Sequence, residues 1–305
     1  MEDFFWNFLC NSNINNVLSK LKKLSLKRLK EFANILNYHH SWGKIGNEFK
    51  NDLINELFNN FEEIYLLQEK VIDTKNTALE SFYKRIKIYF KTQFKNDMCS
   101  EERLRQSYDS CVHILPSGSG CVIKIKDSFN VLTCAHCIDT HEDDKENNNG
   151  EQRLNKYKII IWADGSLGLA KCVIAIDRTD VALLEIIYRQ QLSLPLINME
   201  HSCVKKDGPP TINTKVACIH FPNTPFTTAG GCIKGFRKGD KTDSSILGAT
   251  IHTVNTYWGT SGASLFDYNG EIVAIHNSFY NGQRHACSYE AICLVINTYL
   301  ISLNN

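Results

Sequence analysis

The chain has 305 residues, of which 43% are hydrophobic, and its 34 basic and 33 acidic side chains leave a net charge of +1. That size and composition indicate a globular protein, and we expect two domains. The balanced charge excludes a strong overall attraction to nucleic acid or membrane, and no apolar run is long enough to span a bilayer.

Residues 1–98 are predicted to form an α-helical module. This part of the chain contains no proline, and apolar residues recur at the spacing of one helix face, as in Leu18, Leu21, Leu29, Phe32 and Leu36. We expect three or four helices that end near Phe94. Ser25 is a candidate cap for a helix that starts at Leu26.

The role expected for residues 1–98 is regulatory: binding a protein partner, self-association or covering a functional site. The basic run 20–30 could contact nucleic acid or acidic lipid. Charges along a helix are more often a solvated face, so we consider nucleic-acid binding unlikely and predict no membrane span. Residues 99–108 are predicted to be a linker.

Residues 109–305 are predicted to form a β-rich domain. Short apolar and β-branched runs alternate there with turn residues, at 122–125, 157–162, 173–176, 181–187, 216–219, 246–254 and 272–275. Many short strands separated by turn signals favour a sandwich or a barrel. A short helix at 297–303 is expected to close the domain.

Ser261 lies between two glycines in the turn Gly259-Thr-Ser-Gly262. A serine hydroxyl is a poor nucleophile unless a base accepts its proton and backbone N–H groups bind the developing oxyanion. Glycines permit a tight turn that exposes such N–H groups. Upstream, an apolar run ends in His136, and Asp180 opens another apolar run, so the chain order is His, Asp, Ser.

This order and the sequences around it resemble the trypsin/chymotrypsin-like serine proteases. The pieces that carry the resemblance are G-S-G at 118–120, T-C-A-H-C at 133–137, D-V-A-L-L at 180–184 and G-T-S-G-A-S at 259–264, and they spread over residues 105–295. The resemblance implies two six-stranded antiparallel barrels, with His136 and Asp180 in the first barrel, Ser261 in the second and the cleft between them.

Carried over residue by residue, the resemblance implies a serine endopeptidase. Ser261 would be the nucleophile, His136 the general base, and Asp180 the residue that fixes the histidine tautomer. The backbone N–H groups of Gly259 and Ser261 would form the oxyanion hole. Asp177, three residues before Asp180, is the alternative orienting residue; Asp180 is preferred because the apolar run follows it directly.

Thr256 and His276 are the candidate substrate-binding residues of the primary (S1) pocket. Their positions around the serine turn resemble those of glutamyl endopeptidases and of the chymotrypsin-fold viral proteases that cut after glutamine. A neutral imidazole offers one N–H to an amide oxygen, whereas an imidazolium also favours a carboxylate. We therefore expect glutamine or glutamate at P1. Asn255 argues against Lys or Arg, and the alternative is that His276 is a strand histidine with an internal partner.

The chain has 12 cysteines but no secretory signal at its start, so we expect reduced thiols and an intracellular, cytoplasmic protein. Cys121 and Cys137 have the spacing of a disulfide found in secreted relatives, and whether this pair is oxidised stays open. Cys134 and Cys137 also form a CxxC pair, but no second pair of suitable spacing follows, so no metal and no cofactor are predicted. The acidic run 139–150 is expected to be a solvated loop, with a calcium loop as the alternative.

Two further hypotheses come from the sequence. A catalytically silent binding protein that keeps the protease fold is the alternative to an active enzyme. Gln106-Ser107 resembles the processing sites of glutamine-specific viral proteases, so self-cleavage there could release residues 1–98.

Overall fold

The computed structural model describes residues 1–36, 47–91, 99–138, 153–190, 201–221, 226–237 and 249–304. Its helices are α1 (Glu2–Cys10), α2 (Val17–Lys22), α3 (Leu26–Ile35), α4 (Asn47–Tyr89), α5 (Cys99–Asp109) and α6 (Tyr289–Ser302). Its strands are β1 (Cys111–Ile114), β2 (Gly118–Ile125), β3 (Ser128–Cys134), β4 (Tyr157–Trp162), β5 (Leu167–Ile176), β6 (Val181–Arg189), β7 (Cys203–Val204), β8 (Lys215–His220), β9 (Thr227–Arg237), β10 (Ala249–His252), β11 (Ser264–Phe266), β12 (Glu271–Tyr280) and β13 (Gln283–Cys287). The acidic run at 139–150 lies outside the described residues.

The predicted helical character of the N-terminal region is confirmed. Helix α3 starts at Leu26, and the Ser25 hydroxyl accepts a hydrogen bond from the Arg28 N–H at 3.3 Å, as the capping prediction requires. Helix α4 has 43 residues and is therefore about 64 Å long. Neither proline nor glycine interrupts it, and its apolar positions Leu53, Leu57, Phe61 and Ile64 are buried.

The two predicted antiparallel barrels are confirmed. The first closes in the strand order β1-β2-β3-β6-β5-β4, with β1 paired to both β2 and β4. The second runs β11-β8-β9-β10-β13-β12 and closes through pairing of β11 with β12, while β7 adds a short parallel strand to β12. Each barrel has its own apolar interior, which follows from the alternation of inward-facing residues along its strands.

The helices and the outer faces of both barrels share a further apolar cluster. Helix α4 contacts the first barrel through Gln68, whose amide donates to the Gly165 carbonyl at 2.9 Å. It contacts the second barrel through Arg85, which donates to the Thr228 carbonyl at 2.6 Å, and through Tyr89, whose hydroxyl donates to the Gly231 carbonyl. One rigid helix thus touches both barrels.

Two segments differ in extent from the prediction. Helix α6 begins at Tyr289, well before residue 297, because Ser288 caps it by accepting from the Ala291 N–H.

Residues 99–108, predicted as a linker, belong to α5. Ser107 is buried there and its hydroxyl donates to the Gly270 carbonyl at 2.8 Å, so self-cleavage after residue 106 would first require local unfolding of α5.

A helix that crosses a membrane has to be both long and apolar, and none of the described helices combines the two properties.

The contact between α4 and β9 can be tested with two glycines of the same strand. A Cβ at Gly230 would lie 2.5 Å from the Tyr89 ring, whereas a Cβ at Gly235 would meet nothing within 4 Å. We expect Gly230→Ala to lower the free energy of unfolding by about 1–3 kcal/mol through overpacking, and Gly235→Ala to leave it nearly unchanged. Urea denaturation of both variants measures the difference. Equal effects of the two substitutions on the free energy of unfolding would contradict the contact between the Tyr89 ring and β9.

Candidate active site

Strand pairing brings His136 next to Asp180. The last residue of β3, Cys134, pairs with the first residue of β6, Val181. The residues that follow β3 and precede β6 are therefore neighbours, and the Ala135 N–H donates to the Asp180 carbonyl at 3.0 Å. His136 lies in the 3-10 turn after β3, with Nδ1 2.8 Å from one Asp180 carboxylate oxygen and its backbone N–H 3.1 Å from the other.

Asp180, and not Asp177, is the residue that contacts the imidazole. Asp177 forms an ion pair with Arg153 instead. Asp180 has a backbone φ of 52°, a left-handed conformation uncommon for residues other than glycine. Its N–H donates to the Asp177 carbonyl at 3.0 Å, which helps to hold this conformation and to aim its carboxylate at the histidine.

The surroundings of His136 favour its charged form. Burial lowers the pKa of the imidazole, but the hydrogen bond with the Asp180 carboxylate and the charge of that carboxylate raise it, so the pKa lies above its ordinary value. A carboxylate on Nδ1 also leaves Nε2 as the nitrogen that can exchange a proton with a neighbouring group. This arrangement stabilises an imidazolium formed when the ring accepts a proton.

The turn that carries Ser261 is docked on the first barrel through Ser119. The Ser119 N–H donates to the Ser261 carbonyl at 2.8 Å, and the Ser119 hydroxyl donates to the Gly259 carbonyl at 2.8 Å. Gly262 makes this close approach possible: its φ is +86°, and a Cβ there would lie 2.1 Å from the Ser119 carbonyl oxygen. Sequence reasoning gave Ser119 no role, although it stands in the G-S-G that marked the start of a strand.

The serine turn leaves two backbone N–H groups free. Among the described residues, the N–H groups of Gly259 and Ser261 donate no hydrogen bond, whereas the intervening Thr260 N–H donates to the Tyr257 carbonyl at 3.1 Å. The Ser261 hydroxyl donates to the Asn277 carbonyl at 3.4 Å and makes no hydrogen bond to His136 within the described residues. Rotation of this hydroxyl is therefore needed before its proton can move to the imidazole.

All the predicted site residues except Asp180 line one cleft of about 580 Å³, and Asp180 lies behind the imidazole. The cleft is lined by Pro116, Ser117, His136, Cys137, Thr256, Tyr257, Trp258, Gly259, Ser261, His276, Asn277, Ser278 and Phe279. Residues of both barrels contribute. The structure therefore brings His136 together with Ser261, Thr256 and His276, which all lie far from it in sequence.

His276 has both an internal partner and a place on the cleft wall. Its Nδ1 lies 3.1 Å from His252 Nε2, and the two rings meet edge to face. Burial lowers the pKa of His276 well below its ordinary value, and the neighbouring His252 and His220 lower it further. The ring is therefore neutral at neutral pH. The role of His252 was missed because nothing in the sequence links β10 to β12, which lie on either side of β13.

Cys121 and Cys137 are both free thiols, so the disulfide considered from their spacing is not formed. Cys121 faces Cys111 across the β1–β2 pair, whereas the residue opposite Cys137 is Gly118, where a Cβ would lie 3.3 Å from the Cys137 Cβ. The structural partner of Cys137 is thus a glycine. The Cys137 thiol donates to the Ser261 carbonyl at 3.4 Å instead.

Comparison with known families gives a match to the trypsin-like peptidase domain over residues 118–275. The chain belongs to this family. It is a serine peptidase, a hydrolase, and the matched segment includes cleft residues of both barrels, among them His136 and Ser261. A search of curated proteins finds no significant match.

Solved structures of other proteins are similar to this chain. The HtrA-type protease AlgW, in a structure with a decapeptide, has a TM-score of 0.50 at 14% identity, and the match covers 66% of this chain and 67% of that one. The serine endoprotease from Yersinia pestis has a TM-score of 0.49 at 19% identity, with 66% of each chain covered. An inactive mutant of Rv3671c from M. tuberculosis H37Rv has a TM-score of 0.48 at 17% identity, covering 65% of this peptidase and 89% of that chain.

Proposed function

We propose that this peptidase is an intracellular serine endopeptidase that uses His136, Asp180 and Ser261 and prefers glutamine at P1. The observation that carries the proposal is the carboxylate–imidazole contact at 2.8 Å in a cleft that also contains the serine turn. The intracellular setting is supported by Cys137, whose structural partner is Gly118, so the bridge typical of secreted relatives has no second sulfur.

The reaction follows from the positions of these groups. Asp180 accepts the Nδ1–H of His136, so Nε2 is free to accept the Ser261 proton as Oγ attacks the scissile carbonyl. The free N–H groups of Gly259 and Ser261 would bind the oxyanion, and each such donor is worth about 3 kcal/mol of barrier. His136 then gives the proton to the leaving amine. The acyl-enzyme bond is hydrolysed by water through the same steps in reverse order.

Labelling with a fluorophosphonate probe tests the nucleophile. Attack of the Ser261 oxygen on phosphorus would form a P–O bond and release fluoride, so the full-length protein should gain one label. Ser261→Ala should abolish labelling, because no other activated hydroxyl is proposed. Ser278→Ala is the matched control, since Ser278 lines the same cleft, and it should be labelled like the wild type. Labelling that persists in Ser261→Ala contradicts the proposal, and no labelling of the wild type favours the catalytically silent binding protein.

The preference for glutamine rests on the tautomer of His276. The Val254 N–H donates to Nδ1 of His252 at 3.2 Å, so this nitrogen carries no proton and the proton of the neutral ring is on Nε2. His252 Nε2–H then donates to Nδ1 of His276, so the proton of His276, a residue that lines the cleft, is on Nε2. A neutral N–H donor suits the amide oxygen of glutamine and gives a carboxylate no compensating charge.

Thr256 suits a polar P1 side chain, and the surroundings of Asn255 argue against a basic one. Thr256 lines the cleft, and within the described residues its hydroxyl makes no hydrogen bond, so it can bind the P1 side chain. Arg284 donates to the Asn255 amide oxygen at 3.2 Å. A guanidinium next to the pocket residues disfavours a P1 lysine or arginine by like-charge repulsion.

Peptide profiling should give a kcat/KM for glutamine at P1 at least roughly tenfold above that for glutamate. Because the pKa of His276 is lowered, the ring is already neutral in the region from about pH 6 to pH 8, and the Gln-to-Glu ratio should stay constant there. Only below this region, as the imidazole gains a proton, should glutamate gain relative to glutamine.

Thr256→Val, which keeps the side-chain shape and removes the hydroxyl, should lower kcat/KM for glutamine by about tenfold. Ser278→Ala serves again as the control from the same cleft. A preference of the wild type for lysine, arginine or large apolar P1 side chains would disprove the pocket assignment.

A further inference from the structure

A third metal-binding side chain lies beside the His136–Asp180 pair. The candidate ligand atoms of Cys134, His136 and Asp180 all lie within 4.8 Å of one another. Cys134 is the last residue of β3, and its pairing with Val181 places its thiol next to the carboxylate that follows β5. The thiol is fully buried and donates to the His276 carbonyl at 3.3 Å, a contact that holds it on this side of the barrel.

One sulfur, one imidazole nitrogen and one carboxylate oxygen are a donor set that zinc accepts. Zinc binds such ligands tetrahedrally at about 2.0–2.3 Å, which separates neighbouring donor atoms by about 3.3–3.8 Å. Donors within 4.8 Å need to move only about 1 Å to reach this geometry. A thiolate also disfavours magnesium and calcium, which take oxygen ligands.

An ion can reach the three donors from solvent. The His136 side chain is 44% exposed and that of Asp180 is 20% exposed, so the ion would approach over these two residues and meet the buried thiol last. The sequence alone predicts no metal, because zinc needs four ligands and no second pair of suitable spacing accompanies the CxxC pair. The ligands instead are Cys134 from that pair, His136 from inside the same motif, and Asp180, which directly precedes the neighbouring strand β6.

We propose that Cys134 Sγ, His136 Nδ1 and the Asp180 carboxylate form an inhibitory zinc site, with water as the fourth ligand. On binding, the Cys134 thiol and His136 Nδ1 each release a proton to solvent, zinc takes the place of the proton on Nδ1, and Nε2 takes up a proton from solvent. An imidazole protonated on Nε2 cannot accept the Ser261 proton. The inhibition rests on the proposed catalytic roles, whereas the metal site itself does not.

Binding is measured on the full-length Ser261→Ala protein, in which catalysis plays no part. Zinc competition against a chromophoric chelator should give one site, and cobalt in its place should show the near-ultraviolet absorption of a thiolate ligand. Cys134→Ala in this background should weaken zinc binding at least about tenfold and remove that absorption. Cys218→Ala is the matched control, because Cys218 is an equally buried strand thiol of the other barrel and should change neither readout.

Asp180→Asn provides a second variant that keeps the side-chain shape if Cys134→Ala does not fold; it should also weaken zinc binding at least about tenfold. With wild-type enzyme, zinc should lower the rate of peptide hydrolysis and a chelator should restore it. In Cys134→Ala, normalised to its own metal-free rate, the inhibiting zinc concentration should rise at least about tenfold.

The proposed site is wrong if zinc binds as tightly to both Cys134→Ala and Asp180→Asn as to the parent protein. It is also wrong if Cys218→Ala weakens zinc binding as much as Cys134→Ala does. An absence of hydrolysis by the metal-free wild type would count against the proposed function, and the binding titration would still decide the zinc site.

Discussion

The docking of the Ser261 turn on β2 is the contact on which the site depends. His136 and Asp180 are fixed within the first barrel by the β3–β6 register, but Ser261 belongs to the second. Ser119 links the two barrels at this point, because it donates to the serine turn through both its N–H and its hydroxyl. A displacement of about 1 Å in a catalytic group can cost a hundredfold in rate, so this contact has to be short and rigid.

The partner of Nδ1 decides in which direction the pKa of each histidine in the cleft shifts. His136 has a carboxylate beside Nδ1, which more than offsets the cost of burying its charge, and its pKa is raised. His276 has another neutral imidazole as partner, a hydrogen bond with the His285 backbone offsets burial only in part, and its pKa is lowered. Two histidines that line one cleft are thereby suited to different tasks: proton transfer for the first, and a neutral hydrogen bond for the second.

Local patterns in the sequence predicted the short strands and the Ser25 cap, and the family resemblance carried by short motifs implied the two barrels and the residues that meet in the cleft. Each leaves a short-range signal, such as an apolar run that ends in a histidine or a serine between glycines. Contacts between distant segments leave no such signal. The pairing of Cys137 with Gly118, the His252–His276 contact and the docking of α4 on both barrels depend on tertiary packing, which no short pattern records.

The claim that His136 and Ser261 act on one substrate is tested most directly by alkylation with peptidyl chloromethyl ketones carrying glutamine, leucine or lysine at P1. Such a reagent binds in the cleft, and loss of chloride forms a bond to the catalytic imidazole. Peptide mapping should place a single adduct on His136, and Ser261→Ala should react much more slowly. Adducts on Cys137 or elsewhere, with His136 unmodified by every reagent, would contradict the account.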